Sequence, residues 1–231
     1  MKKKCLSFTL LELLVVITII VILASILLPA LQKAKGNAMT IKCAGNMKQF
    51  GQAFAAYSAD FNGYICPYDS VIGGKYWFRE LLQDYLNDSR TLVILGGYSW
   101  SGGKRIDSPL ACPSFKIPAS GVGYSYGENI RFCHSYPDSW YTREAQIKRP
   151  SRACVLAEIV ETATLPICFH YLDGGSNSYA QRFSHNGGEN ILFSDFHVSW
   201  MKRIRIPDQA TDASAWKSSF WSPKDWTNDS W

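Results

Sequence analysis

Apolar residues are distributed along this chain in three distinct ways. From Leu13 to Leu31 there are 19 residues without a charge, mostly Leu, Ile and Val. As a helix that run is about 28 Å long, close to the hydrocarbon thickness of a bilayer. After Gln32-Lys33-Ala34-Lys35 the pattern changes. Met47, Phe50, Phe54, Tyr57 and Phe61 recur at intervals of three and four, the spacing of one helix face. Asn62-Gly63 then supplies the residue types of a helix C-cap. The pattern predicts one long helix from Phe8 to Asp60, with Pro29 able to kink it and Gly36, Gly45 and Gly51 loosening it. Its first half suits an apolar medium. The stripe on its second half suits packing on a sheet.

The third regime is made of short segments. Tyr76–Leu86 reads as a short helix, with Trp77, Leu81 and Tyr85 facing one way. Residues 96–109 contain four glycines and a Lys-Arg pair and read as an exposed loop. Short apolar runs predict strands at 123–126, 153–159, 167–171, 190–193 and 197–201. Pro207 opens an irregular tail in which Trp216, Trp221, Trp226 and Trp231 recur every five residues. Those tryptophans read as cover for a sheet edge, with a partner-binding patch as the alternative. The fold class expected is α+β, a long N-terminal helix packed on an antiparallel β-sheet. The segments are 1–7, 8–31 (the apolar helix), 32–206 (the folded domain) and 207–231 (the tail).

Charge adds a topology. The formal net charge is +5, and Lys2, Lys3 and Lys4 supply three of those charges. Without residues 1–7 the charge is +2, too small to argue for nucleic-acid binding. The lysines flank the apolar run on its N-terminal side, which keeps that side cytoplasmic and sends the rest of the chain outward. The cluster Lys202, Arg203 and Arg205 reads as a solvated strand edge rather than a phosphate site. Of seven cysteines, Cys5 lies in the first segment; Cys43, Cys66, Cys112, Cys133, Cys154 and Cys168 remain. None forms a C-x-x-C pair, so zinc-ribbon and thioredoxin readings have no support. An even number in an exported domain permits disulfides, with pairing left open.

Glu12 sharpens the reading of the apolar run. A carboxylate inside a membrane helix is costly and usually functional, and a plain anchor or secretory signal does not explain it. Ser7-Phe8-Thr9-Leu10-Leu11-Glu12 resembles the signature of type IV prepilins and type II secretion pseudopilins. The resemblance implies cleavage by a prepilin peptidase between Ser7 and Phe8, and N-methylation of Phe8. It also implies that Glu12 pairs with the new amine of a neighbouring subunit during assembly. Each charge alone is expensive in an apolar filament core, and pairing offsets that cost. The residue before the cut is usually Gly in that family; here it is Ser7.

A second resemblance covers about residues 7–201. Cys43-Ala-Gly-Asn46-Met-Lys48-Gln49, Cys112-Pro113-Ser114, Tyr126-Gly127-Glu128-Asn129 and His185 followed after nine residues by Asp195 are similar to the prepilin-type processing-associated group named for its His-x9-Asp-Gly motif. That group has Gly where this chain has Phe196. An Asp-Gly pair between apolar runs suits a tight hairpin turn with positive φ, which Phe196 does not take cheaply. A changed turn or a shifted hairpin tip is therefore expected.

For chemistry, His185, Asp195 and His197 offer imidazoles and a carboxylate; the simplest reading is hydrogen bonding within the hairpin, and a metal site on the two imidazoles and the carboxylate is the alternative. No G-x-S-x-G elbow is present, so an enzyme is not expected. No cofactor is expected either. Calcium is admitted only by the pseudopilin resemblance, with Asp173, Asn177 and Asp195 as oxygen ligands at a spacing that matches no EF-hand. The expected function is a pilin- or pseudopilin-like structural subunit assembling with other such subunits into a type IV pilus-like or type II secretion filament. Its location would be the bacterial inner membrane, single-pass, with the C-terminal domain periplasmic or on the filament. The alternative is a membrane-tethered surface domain, binding polysaccharide for instance, that uses the leader only for export.

Overall fold

The structure, a computed structural model, describes residues 9–67, 69–72, 75–86, 97–101, 104–114, 122–129, 132, 142–159, 167–168, 183–207 and 220–221. The chain divides into two compact units, Met1–Ala38 and Met39–Trp231.

Helix α1 spans Leu10–Asp60, with Pro29 inside it. The expected C-cap is present. Phe61 N–H donates to Tyr57 O at 2.9 Å and Gly63 N–H to Ser58 O at 2.8 Å. Asn62 and Gly63 take φ of 53° and 79°, the left-handed conformation such a cap needs. The two halves of α1 differ as the sequence predicts. Cys43, Met47, Phe50, Phe54 and Tyr57 are buried, while apolar side chains from Leu10 to Leu31 stay exposed. By length and composition α1 is long and apolar enough to cross a membrane.

The second unit is built on sheets. Strands β1 (Asp69–Ile72) and β2 (Lys75–Trp77) form a hairpin that leads into helix α2 (Phe78–Leu86). Strands β3 (Gly97–Ser101) and β4 (Lys104–Asp107) pair antiparallel, and β5 (Val122–Tyr124) joins β3 from the other side. The span 96–109, read as a loop from its glycines, therefore contains a hairpin. The expected strand at 123–126 is divided at Ser125, where the chain passes from one sheet to the other.

The main sheet holds β6 (Tyr126–Asn129), β7 (Cys154–Glu158), β8 (Ile167–Cys168), β9 (Gly188–Phe193) and β10 (Val198–Lys202), in the order β10-β9-β7-β6-β8. Four strands are antiparallel, giving the α+β, pilin-like layout. The short edge strand β8 runs parallel to β6, a departure from the fully antiparallel expectation.

Both faces of this sheet are covered, which is why every residue of β7 and β9 is buried. On one face Tyr126, Leu156 and Leu192 pack with Met47, Phe50 and Phe54 of α1. On the other, Ala157, Ile159, Ile191 and Phe193 pack with Ile206, Phe220 and Trp221. Trp221 is 1% exposed, and its indole N–H donates to Pro207 O at 2.7 Å. This member of the tryptophan series thus lies on the sheet's face rather than along its edge. Trp216, Trp226 and Trp231 lie outside the described residues.

The β9–β10 turn overturns one expectation. Phe196 does take positive φ, +64°. Its N–H donates to Phe193 O at 2.9 Å, and Phe193 N–H to His197 O at 3.0 Å. A left-handed non-glycine residue costs about 1–2 kcal/mol. Packing offsets that cost here, because the Phe196 ring is partly buried against the helix-side core. The close approach is made possible by Gly51, where an added Cβ would stand 3.0 Å from Phe196 O and 2.9 Å from Leu192 Cδ1.

Candidate functional site

Among the described residues, two regions carry chemistry. The first is the start of α1. Glu12 Oε2 accepts from Thr9 N–H at 2.9 Å and from Thr9 Oγ1 at 2.8 Å, while Glu12 N–H donates to Thr9 Oγ1 at 3.2 Å. This is a capping box, in which Thr9 and the residue three positions on satisfy each other's backbone donors. The carboxylate also sits at the positive end of the helix dipole. The sequence reading placed Glu12 by its family position and missed the Thr-x-x-Glu cap. Ser7 and Phe8 lie outside the described residues.

The second region is the interior between α1 and the main sheet. Alternation along β7 puts Leu156 and Glu158 on the helix side, and along β9 it puts Asn190 and Leu192 there. Cys43 projects from α1, Cys112 follows Leu110-Ala111, and His185 precedes β9 in a tight turn with reciprocal backbone bonds to Gly188, both 3.1 Å. The Trp200 indole N–H donates to His185 O at 2.9 Å and holds that turn from β10.

Four side chains meet in this interior. Cys43, Cys112, Glu158 and His185 are 0%, 4%, 1% and 1% exposed, and one donor atom from each lies within 4.8 Å of the others. Cys43 Sγ is 3.0 Å from Glu158 Oε1, His185 Nε2 is 3.1 Å from the same oxygen, and Cys112 Sγ is 3.4 Å from His185 Nε2. Around them, Ser184 Oγ donates to Glu158 Oε2 at 2.9 Å. Asn190 donates to Oε1 from its backbone and side-chain nitrogens, both at 3.3 Å. Tyr126 Oη lies 3.2 Å from Cys43 Sγ. Burial above all, then Cys112 and Glu158, pushes the Cys43 thiol far above the ordinary thiol range. Burial presses His185 downward, but its contacts with Cys112 and Glu158 outweigh that and raise it to about 9.

The structure therefore separates the two residues of the expected hairpin motif. His185 and Asp195 lie before and after β9, a strand of six residues or roughly 17 Å. Asp195 is at the exposed turn, where its carboxylate pairs with His197 Nδ1 at 2.5 Å and the His197 ring stacks on Phe193. Of the calcium candidates, only Asp195 falls among the described residues; Asp173 and Asn177 lie outside them. Cys43, Cys66, Cys112 and Cys154 are buried free thiols, so no disulfide joins any of these four. Cys133 lies outside the described residues. Near the hairpin, Arg152, Lys202 and Arg205 share a groove of about 450 Å³ with Phe193, His197 and Trp200.

Neither cysteine of the four-residue cluster was singled out from sequence as a ligand, and Glu158 was not singled out at all. The signal available was Glu158 itself, a carboxylate inside the apolar run Cys154-Val-Leu-Ala-Glu158-Ile-Val. Such a residue is almost never buried unless paired or bound.

Comparison with known proteins adds one finding at the N-terminus. No curated protein and no solved structure matches the chain. Residues 2–28 match the family model described as the prokaryotic N-terminal methylation motif, so the chain opens with a prepilin-type processing motif continuous with an apolar helix long enough to span a membrane.

Proposed function

We propose that this chain is the precursor of a type IV pilin- or pseudopilin-like structural subunit. The observation that carries the reading is the match of residues 2–28 to the N-terminal methylation motif, running directly into a helix whose apolar residues are exposed. A prepilin peptidase cuts between Ser7 and Phe8, Phe8 is N-methylated, and residues 8–31 hold the protein in the inner membrane until it joins other subunits. The folded domain then lies on the outer side.

Glu12 fits two consecutive roles. In the single chain its carboxylate caps the helix through Thr9, one residue from the proposed new amine of Phe8. In a filament it pairs with the amine of a neighbour, and Thr9 is left to water or to the helix terminus. The exchange replaces two hydrogen bonds with an ion pair in apolar surroundings, where an unpaired carboxylate is costly.

The test is intact mass of the protein extracted from membranes and from sheared filaments. The expected species begins at Phe8 and carries one added methyl group. A species beginning at Met1 in both fractions overturns the reading. Recovery in membranes as the processed form, with none in filaments, favours the alternative of a tethered binding domain. For that alternative the groove of Arg152, Lys202 and Arg205 beside the part-exposed Trp200 offers stacking and charge to an acidic polysaccharide.

A further inference from the structure

The interior cluster goes beyond the proposed subunit role and does not depend on it. We infer that Cys43, Cys112, Glu158 and His185 form a closed, tetrahedral binding site for a zinc ion that ties α1 to the main sheet.

Valence around Glu158 and His185 calls for a cation. Glu158 Oε1 faces Cys43 Sγ, His185 Nε2 and two nitrogens of Asn190 at 3.0–3.3 Å. One carboxylate oxygen has about two lone-pair directions, so four hydrogen donors around it are too many. His185 Nε2 has a single bonding direction, yet it faces both Cys112 Sγ and Glu158 Oε1. A central cation resolves both conflicts. Each of the four side chains then uses one lone pair toward the metal, and Oε1 keeps one for the backbone N–H of Asn190, whose side-chain amide has Thr40 O as its acceptor at 3.2 Å.

The cluster is also about the size of a zinc coordination shell. Zinc bonds of about 2.0–2.3 Å imply tetrahedral edges of roughly 3.3–3.8 Å. The Cys112–His185 distance of 3.4 Å lies within that range, the Cys43–Glu158 and His185–Glu158 distances of 3.0 and 3.1 Å are a few tenths of an ångström short of it, and all four donor atoms fit within 4.8 Å. Two thiolates with an imidazole and a carboxylate suit zinc far better than calcium or magnesium, which prefer oxygen alone.

Neighbouring side chains support the four ligands. Ser184 on Glu158 Oε2, Asn190 on Oε1 and Tyr126 at Cys43 Sγ are donors that orient ligands and spread their negative charge. Burial of all four ligands leaves no open coordination position, which marks a structural rather than a catalytic site.

The experiment uses the full-length protein, solubilised in detergent and purified without a histidine tag or chelator. Elemental analysis is expected to find one zinc per chain in the wild type and in the Cys66→Ser and Cys154→Ser controls, and little in Cys43→Ser or Cys112→Ser. Ser184→Ala, which keeps all four ligands, is expected to bind zinc about tenfold more weakly. Because ligand variants can fail to fold, the wild type is also exchanged with cobalt. A tetrahedral d–d spectrum with a thiolate-to-cobalt charge-transfer band is the expected result. Wild-type protein that holds no zinc and takes up no cobalt overturns the proposal. So does cobalt bound without a thiolate band. A non-reducing mass showing a Cys43–Cys112 disulfide overturns it equally, since that bond would consume both sulfur ligands.

Discussion

Two glycines of the same helix should respond to alanine with opposite signs. Gly45 is exposed and has nothing within 4 Å of a built Cβ, whereas Gly51 is buried with Leu192 Cδ1 at 2.9 Å and Phe196 O at 3.0 Å. Helix propensity favours Ala over Gly by about 0.8–1 kcal/mol at both sites. At Gly45 nothing opposes it. At Gly51 one clashing atom is a backbone carbonyl, on a residue already held at positive φ, and the other belongs to a leucine that is 0% exposed. Overpacking of that kind costs about 1–3 kcal/mol, so Gly51→Ala should lose up to about 2 kcal/mol net. With about 2–4 °C per kcal/mol for a domain of this size, Gly45→Ala should raise Tm by roughly 2–4 °C and Gly51→Ala lower it by up to roughly 8 °C. Thermal unfolding of the detergent-solubilised chain by near-ultraviolet circular dichroism reads both. If Gly51→Ala proves as stable as Gly45→Ala, the helix does not sit against the β9–β10 turn as described.

Two other expectations are as specific. Trp221→Ala should destabilise by about 3–5 kcal/mol, the cost of emptying a buried tryptophan site, measured by the same unfolding assay; a change under about 1 kcal/mol would remove the C-terminal segment from the sheet. Tyr85 donates to Asp60 at 2.9 Å, and burial first, then Asp60, raises its phenol to about 12. An unfolded tyrosine ionises near pH 10, so the folded form retains the proton longer. This contribution to stability is complete below about pH 10 and fades as pH rises toward 12, and Tyr85→Phe should flatten that part of the stability profile. An unchanged slope between those pH values would exclude the bond.

Local physics was legible in the sequence, and long-range convergence was not. The two halves of α1 showed in their periodicity, and the cap at Asn62-Gly63 in its residue types. Trp221 was noticed only as part of a periodic series; nothing local says that it lies on a sheet face. The cluster was hidden for a related reason. Its ligands are separated by 69, 46 and 27 residues, so a search for closely spaced cysteine pairs returns nothing although two sulfurs lie within 4.8 Å. His185 was noticed, but its motif partner Asp195 lies beyond the far end of β9. Phe196 failed differently: the steric rule was sound, and tertiary packing against Gly51 outweighed it.

The β9 hairpin engages α1 at several heights. The His185 turn meets Cys43, the Asn190 side chain donates to Thr40 O at 3.2 Å, and Leu192 and Phe196 bear on Gly51. Cys43 and Gly51 are eight residues apart, about 12 Å along the helix axis. A force directed along that axis therefore loads these fastenings side by side, in shear. They have to give way together rather than one after another, as they would if the helix were lifted away from one end. The domain's grip on its helix is thus strongest in the direction of the helix itself, and a sideways pull is the motion that would open it.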